Sequence, residues 1–562
     1  MAFRLKRKSY RSHEINPDEI FLDSSNLPDF DKQQFEGVIE RPIASRTINF
    51  FSVSLVLIAL VFIGKLFSLQ IARGEFYYDK SLNNSLTHEP IFAERGIIYD
   101  RNGVELAWNE KTVLEEAVPE RKYITKGGFS HLLGYVGYPK KDEKGFYWQK
   151  EFIGKAGIES IYNDKLDGEN GTQLVSIDVY GNKESENQII NTIPGENINL
   201  SIDSRVQSSM YEAIKNHAET FGFTGGAGIM MDIDTGEILA ITNYPEYSSE
   251  IMSKGSDSDT ISSYQTSSGK PYLNRAVAGL YTPGSIVKPF VAMGVLTENI
   301  IDPLKQIYSS GSISITSPYD PEIVYTYKDN KAHGYVDLRR AIAVSSNVYF
   351  YAVGGGYQDQ EGLGIDRIEK YTKLFGLDEE LDTDLEGEKK GTIPSRDWKK
   401  LKFKGDDWRI GDTYNTSIGQ YGFQVTPLSM ARSVGAIANN GTLVTPHALV
   451  GDAKYENTKR EVGLDPVDYQ IVREGMRMVV TEGSAQSLSY LPFNVAAKTG
   501  TAQVGLQKNK INSWIIGFFP YENPKYSFAI LMESGPTTAS GASGVAREVL
   551  TFVGTTTPEY IK

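Results

Sequence analysis

The sequence predicts an α+β fold, an antiparallel sheet flanked by helices, preceded by a β-rich region and one membrane-spanning helix. Three observations predict it: an uncharged apolar run near the N-terminus, short apolar runs broken by turn dipeptides after it, and strand-like segments at both ends of a long helical stretch. At 562 residues the chain is too long for one ordinary core, so several units are expected. The divisions fall at 1–46 (tail), 47–72 (membrane anchor), 73–197 (β-rich region) and 198–562 (α+β domain).

From Thr47 to Gly64 the chain reads TINFFSVSLVLIALVFIG without a charge, and after Lys65 the apolar character resumes to Ala72. That length suffices to cross a hydrocarbon layer of ~30 Å, and the run lacks the polar face that a partly buried surface helix would show. Arg4, Lys6, Arg7, Lys8, Arg11, Arg41 and Arg46 precede it, whereas only Arg73 and Lys80 follow closely. The positive-inside rule then puts the N-terminus in the cytoplasm and everything after about Gly74 outside. The length of the tail and of the apolar run, with no small-residue cleavage site behind it, predicts an uncleaved anchor rather than a signal peptide. Residues 12–40 carry Glu14, Asp18, Glu19, Asp23, Asp29, Asp31 and Glu36 with Pro17 and Pro28, a composition that buries little apolar surface and predicts a disordered tail.

Between Gly74 and Pro194, turn dipeptides at Asn102-Gly103, Gly127-Gly128, Asp167-Gly168, Asn170-Gly171 and Tyr180-Gly181 separate short apolar runs, which predicts strands. Asp203 or Ser204 then caps a helix with Val206, Met210, Ile214 and Phe221 near one face. Strands follow at Gly228–Asp232 and Ile238–Thr242, joined by Asp234-Thr235-Gly236, and again at Asn494–Val504, Ser513–Phe519 and Tyr526–Met532. The residues between read as helices and loops, one helix opened by Asp465-Pro466. Pairing of strands from the two ends would make one antiparallel sheet with the helical middle packed on it.

Composition excludes several chemistries. A net charge of −13 gives no footprint for nucleic acid. The absence of cysteine removes disulfides, thiolate metal sites and Cys nucleophiles. The six histidines lie far apart with no HExxH-like pair, so neither a metal nor a cofactor is expected.

Three short patterns remain: Ser285-Ile-Val-Lys288, Ser345-Ser346-Asn347 and Lys498-Thr499-Gly500-Thr501. Spelling alone decides nothing, because Ser267-Ser268-Gly269-Lys270 and Ser24-Ser25-Asn26 repeat two of them. Placement separates them: Ser285 follows Pro283-Gly284 and opens an apolar helical run, while Lys498 ends an apolar strand-like run and is followed by small residues. Helix residues three apart share a face, so the Lys288 amine is expected beside the Ser285 hydroxyl. Lysine ordinarily titrates near ~10.4. Burial and a neighbouring cation such as Lys498 favour the neutral amine that can take the serine proton.

Backbone N–H groups at Ser285 and Thr501 offer an oxyanion site, and Lys498 with the Thr499 and Thr501 hydroxyls offers a carboxylate site. Gly500 is expected to let a substrate backbone approach. Ser345 is placed to relay a proton and Asn347 to orient Lys288; in isolation the pair also reads as a helix cap and its neighbour. Pro289 lacks the N–H that would bond back to Ser285, and reads equally as a local breach at the nucleophile or as an ordinary first-turn proline.

At these residues the sequence resembles the class B penicillin-binding proteins, whose motif set is described for this chemistry. The likeness extends to Arg95–Gly103, His131–Gly137 and Gly157–Glu159 in the region then identified as a pedestal, and to Asp234–Ala240, Asn274–Ala276, Gly419-Gln420, Val425–Pro427 and Gly517–Pro520. The resemblance implies a penicillin-binding transpeptidase fold and a serine-type D-Ala-D-Ala transpeptidase in the bacterial plasma membrane. In it the penultimate D-Ala of a peptidoglycan stem peptide acylates Ser285, the terminal D-Ala leaves, and an amine from a neighbouring strand attacks. It further implies acylation of the same serine by β-lactams, and a polytopic glycan polymerase of the shape, elongation, division and sporulation family as partner. Between Ala107 and Lys122 the chain is shorter than the family's pedestal insertions, which puts the outer lobe in question. A β-lactam sensor or hydrolase, or a scaffold that activates a polymerase, are the alternatives.

Overall fold

The computed structural model describes residues 45–75, 77, 86–110, 118–143, 147–177, 183–317, 320–456, 458–505, 509–536 and 541–562. Most of the predicted tail, the Ser24-Ser25-Asn26 repeat and the Tyr180-Gly181 turn lie outside these residues. Helix α1, Ser45–Phe67, continues through one wider turn to Ala72. Its apolar side chains are all exposed, as lipid-facing groups would be, and it is the one helix among the described residues long and apolar enough to cross a membrane.

Residues 88–176 and 181–562 form a second compact unit. Its first part contains a four-stranded sheet of β1 (Ile98–Tyr99), β2 (Glu105–Glu110), β3 (Glu120–Tyr123) and β4 (Ile198–Asn199) in the order β4-β1-β2-β3. Strands β2 and β3 pair from Ala107 opposite Tyr123 to Glu110 opposite Glu120; residues 111–117 between them lie outside the described residues. Behind these strands Glu159, fully buried, accepts from Arg95 Nε at 2.6 Å and Arg121 Nε at 2.7 Å. Arg95 also donates to Asp167 Oδ1 and Asn163 Oδ1, each at 3.1 Å, so its guanidinium out of water is paired and hydrogen-bonded.

The larger sheet has β5 (Gly225–Asp232), β6 (Ile238–Tyr244), β7 (Ala496–Val504), β8 (Lys510–Phe519) and β9 (Tyr526–Pro536), all antiparallel in the order β6-β5-β9-β8-β7. Strands from the two ends of the domain meet at β5 and β9, with Ile229 opposite Ala529. All but β9 begin and end within three residues of their predicted limits; β9 runs on to Pro536 because Gly225 of β5 and Lys510 and Ile511 of β8 supply ladder partners past the last apolar residue. Alternation along β5 sets the two faces. Gly226 and Gly228 leave room for Ile214 and Met210 of α2 (Ser204–Phe221), while on the other face Ser527, opposite Met231, donates to the Ala431 carbonyl of α5 (Pro427–Ala438).

Asp203 caps α2, accepting from Arg205 N, and its apolar stripe is buried except for Phe221, which is 37% exposed at the last turn. The helical middle supplies α3 (Lys288–Thr297), buried from Lys288 to Leu296, then α4 (Asn347–Gly355), α5 and α6 (Pro466–Thr481). Helix α7 (Ala542–Thr556) closes the α2 side.

Candidate active site

The chain enters the site through Tyr281–Pro283. Tyr281 and Val425 exchange both backbone hydrogen bonds at 3.0 Å, Trp514 Nε1 donates to the Thr282 carbonyl at 3.0 Å, and Gly284 N donates to Gly419 O at 3.0 Å. The motifs at Gly419-Gln420 and Val425–Pro427 thus clamp the segment ahead of Ser285. Gly284 has φ +59°, and a side chain there would meet the Thr501 carbonyl at 2.9 Å, so only glycine fits comfortably.

Residues Gly284–Val287 form a single 3₁₀ turn before α3. Lys288 N donates to the Ser285 carbonyl, the i+3 bond that serves where Pro289 has no N–H to make the i+4 one. Pro289 is therefore both an ordinary first-turn residue and the cause of the tight turn at Ser285. A 3₁₀ turn eclipses residues three apart, which aligns Ser285, half-buried, with Lys288, fully buried.

No hydrogen bond joins the Lys288 amine to the Ser285 hydroxyl among the described residues; the amine donates to Ser345 O at 2.7 Å, Ser345 Oγ at 3.3 Å and Asn347 Oδ1 at 2.7 Å. Lys498, also fully buried, donates to the same Ser345 Oγ at 3.0 Å and to Thr499 O at 2.7 Å. Ser345 therefore stands between the two amines, with its backbone in the left-handed region at φ +58°. Ser346, rather than Ser345, caps α4, accepting from Tyr349 N.

Burial pushes Lys288 down to about 7, against the pull of the Asp329 carboxylate. Lys498 is pushed well below the usual lysine range by burial and then by the charge of Lys288. Both amines are thus driven toward the neutral form, by burial first and, at Lys498, by the neighbouring amine as well. Two ammonium groups about one hydroxyl in a dry site do not coexist.

Strand β7 is an edge of the sheet, leaving one side free of any strand partner. Thr499 is half-buried and Thr501 exposed. At Gly500 a side chain would meet Pro283 O at 2.8 Å and Ile286 Cγ2 at 2.9 Å, so glycine there lets the serine turn press on the strand. Two neighbours escaped sequence reasoning. Ser484 Oγ lies 2.5 Å from Thr499 Oγ1, and Asp329 touches the start of α4; both arrive from distant parts of the chain, with no local pattern to mark them. The Ser267–Lys270 repeat is a loop whose Gly269 and Lys270 carbonyls bind Arg275.

A serine on a tight turn, two buried amines and a free strand edge define a serine acyl-transfer site. Residues 226–551 match the model of the penicillin binding protein transpeptidase domain, and residues 112–200 that of the penicillin-binding protein dimerisation domain. The chain belongs to the penicillin-binding transpeptidase family. It is 29% identical to the peptidoglycan D,D-transpeptidase MrdA of Haemophilus influenzae, over 86% of this chain and 76% of that protein. Pseudomonas aeruginosa PBP2, solved in complex with WCK 5153, is 30% identical with a TM-score of 0.68, over 82% of this chain and 96% of that one. A chain from a peptidoglycan synthase complex, described as coordinating polymerization and crosslinking, is 25% identical with a TM-score of 0.69, over 90% and 97%.

Proposed function

We infer that this chain is a peptidoglycan D,D-transpeptidase that cross-links stem peptides through a Ser285 acyl-enzyme and is acylated at the same serine by β-lactams. One observation carries the reading: two buried amines share the Ser345 hydroxyl beside the turn that bears Ser285.

Lys288, neutral once it has lost its proton near pH 7, takes the Ser285 proton as Oγ attacks the penultimate D-Ala carbonyl. Backbone N–H groups of Ser285 and Thr501 hold the oxyanion. The terminal D-Ala leaves with a proton passed from Lys288 through Ser345, and Asn347 holds Lys288 in line. The incoming amine then attacks the acyl-enzyme by the reverse proton path and restores Ser285. The arriving substrate carboxylate, bound by the Thr499 and Thr501 hydroxyls, favours the charged form of Lys498, and that cation in turn favours neutral Lys288. Gly500 keeps β7 against the serine turn.

Residues 198–562 act as the transpeptidase domain on the pedestal of residues 73–197, with residues 47–72 as a single-pass plasma-membrane anchor. Residues 1–46 lie in the cytoplasm, and the catalytic domain is outside, periplasmic where there is an outer membrane. A polytopic glycan polymerase is the fitting partner, because this chain supplies cross-linking and the related chain above works in a complex that also polymerises.

Fluorescent penicillin applied to the purified protein, with peptide mapping of the adduct, tests the reading. Attachment at Ser285 is expected; attachment elsewhere, Ser267 included, refutes it.

A further inference from the structure

The reading above leaves one buried carboxylate at the site without a role. Asp329 follows the strand Val324–Lys328, and its side chain is wholly inaccessible. Its Oδ2 accepts from Ser346 Oγ at 2.9 Å, Val348 N at 3.0 Å and Ser309 Oγ at 3.3 Å. One oxygen thus joins the first turn of α4 to the short strand Ile307–Ser309. The residue before it acts on the same turn: the Lys328 carbonyl accepts from Asn347 Nδ2 at 3.4 Å and Tyr351 OH at 3.3 Å. With its amide nitrogen held there, Asn347 turns Oδ1 toward the Lys288 amine. Ser345, whose carbonyl is the other close acceptor of Lys288, sits in a left-handed conformation costly for a non-glycine residue, and such a residue persists only where its surroundings fix it.

We propose that Asp329 is a positioning residue of the acyl-transfer site: by pinning the first turn of α4 it fixes where Ser345 and Asn347 meet the Lys288 amine. This rests on the reading of Lys288 as the base. Charge supports it as well as geometry. Asp329 would be raised by burial, yet the N–H groups of Asn347 and Val348 and the Ser346 hydroxyl hold it below the usual carboxylate range. It therefore stays an anion and favours a proton on Lys288. The groups around the pair are Lys498, whose ammonium form Lys288 opposes, His333, whose ring nitrogen is 3.8 Å from Asp329 Oδ1 and is lowered by burial, and the buried phenol of Tyr351. Lys331 and Arg340 bear on this cluster through His333.

The full-length protein in detergent, reacted with fluorescent penicillin from pH 5 to 9, separates the two effects. Asp329→Asn keeps an oxygen acceptor for Ser346 and Val348 but loses the charge; its acylation profile should move to lower pH by about one unit with a nearly unchanged plateau. Asp329→Ala loses the acceptor, and its plateau acylation rate should fall at least about tenfold while the reversible affinity for penicillin holds. A general packing defect would not move the profile of the Asn variant. An Asp329→Asn profile that superimposes on that of the unaltered protein, with labelling still at Ser285, overturns this inference alone. Labelling of the unaltered protein at another residue overturns the functional reading and this inference with it.

Discussion

At the scale of single residues, the site turns on where protons sit. Ser285→Ala removes the nucleophile from a half-buried position; penicillin labelling should vanish while the melting temperature stays within the range of about 0.5 kcal/mol typical of such changes. Lys288 titrates near 7, so the acylation rate should drop about tenfold per pH unit below that value and level off above it. Lys288→Arg, which keeps a proton throughout, should abolish the rise and lower the rate at least about a hundredfold. The same depressed value bears on stability. Between about pH 7 and the ordinary lysine value the unfolded chain binds a proton that folded Lys288 does not, so this residue makes the fold more stable as pH rises through that window. Ser285, Lys288, Ser345, Asn347 and Lys498 were legible in the sequence because each lies in a short pattern with a chemical reason. Asp329 and Ser484 were not, since their partners Ser346 and Thr499 lie 17 and 15 residues away and only folding unites them.

At the scale of elements, the turn that carries the nucleophile is set by its neighbours. In a 3₁₀ turn Ser285 and Lys288 eclipse, whereas α geometry would rotate one from the other by about 60°. Pro289→Ala restores an N–H and with it the i+4 bond to Ser285. Acylation is expected to fall several-fold without loss of melting temperature, and an unchanged rate would show that the turn is held by Gly419, Trp514 and β7 instead. The strands of the larger sheet were legible because apolar runs and Asp-Thr-Gly or Pro-containing turns bound them. The 3₁₀ turn was not: its sequence reads as the start of α3, and the Gly419 and Thr501 contacts that tighten it come from two distant segments.

At the scale of the whole molecule, polar ties join residues far apart along the chain. Glu246 accepts from Gly128 N at 2.6 Å and Ser130 N at 3.0 Å, and burial pushes it up to about 7 despite those bonds. A carboxyl raised in the fold binds a proton that the unfolded chain has released, so stability is lost as pH rises from about 4 to 7. Glu246→Gln should shrink that decline in melting temperature, and Asp167, Asp234, Asp378, Asp384, Glu388 and Asp468, also raised by burial, contribute to what remains. A decline of undiminished slope in the variant would show that Glu246 is ionised throughout. The sheet carries a different consequence. Strand β9 is the seam between β5 and the β8–β7 pair, so the strand that carries Lys498 cannot be joined through the sheet to β5 and β6 until β9, which comes after it in the chain, has been made.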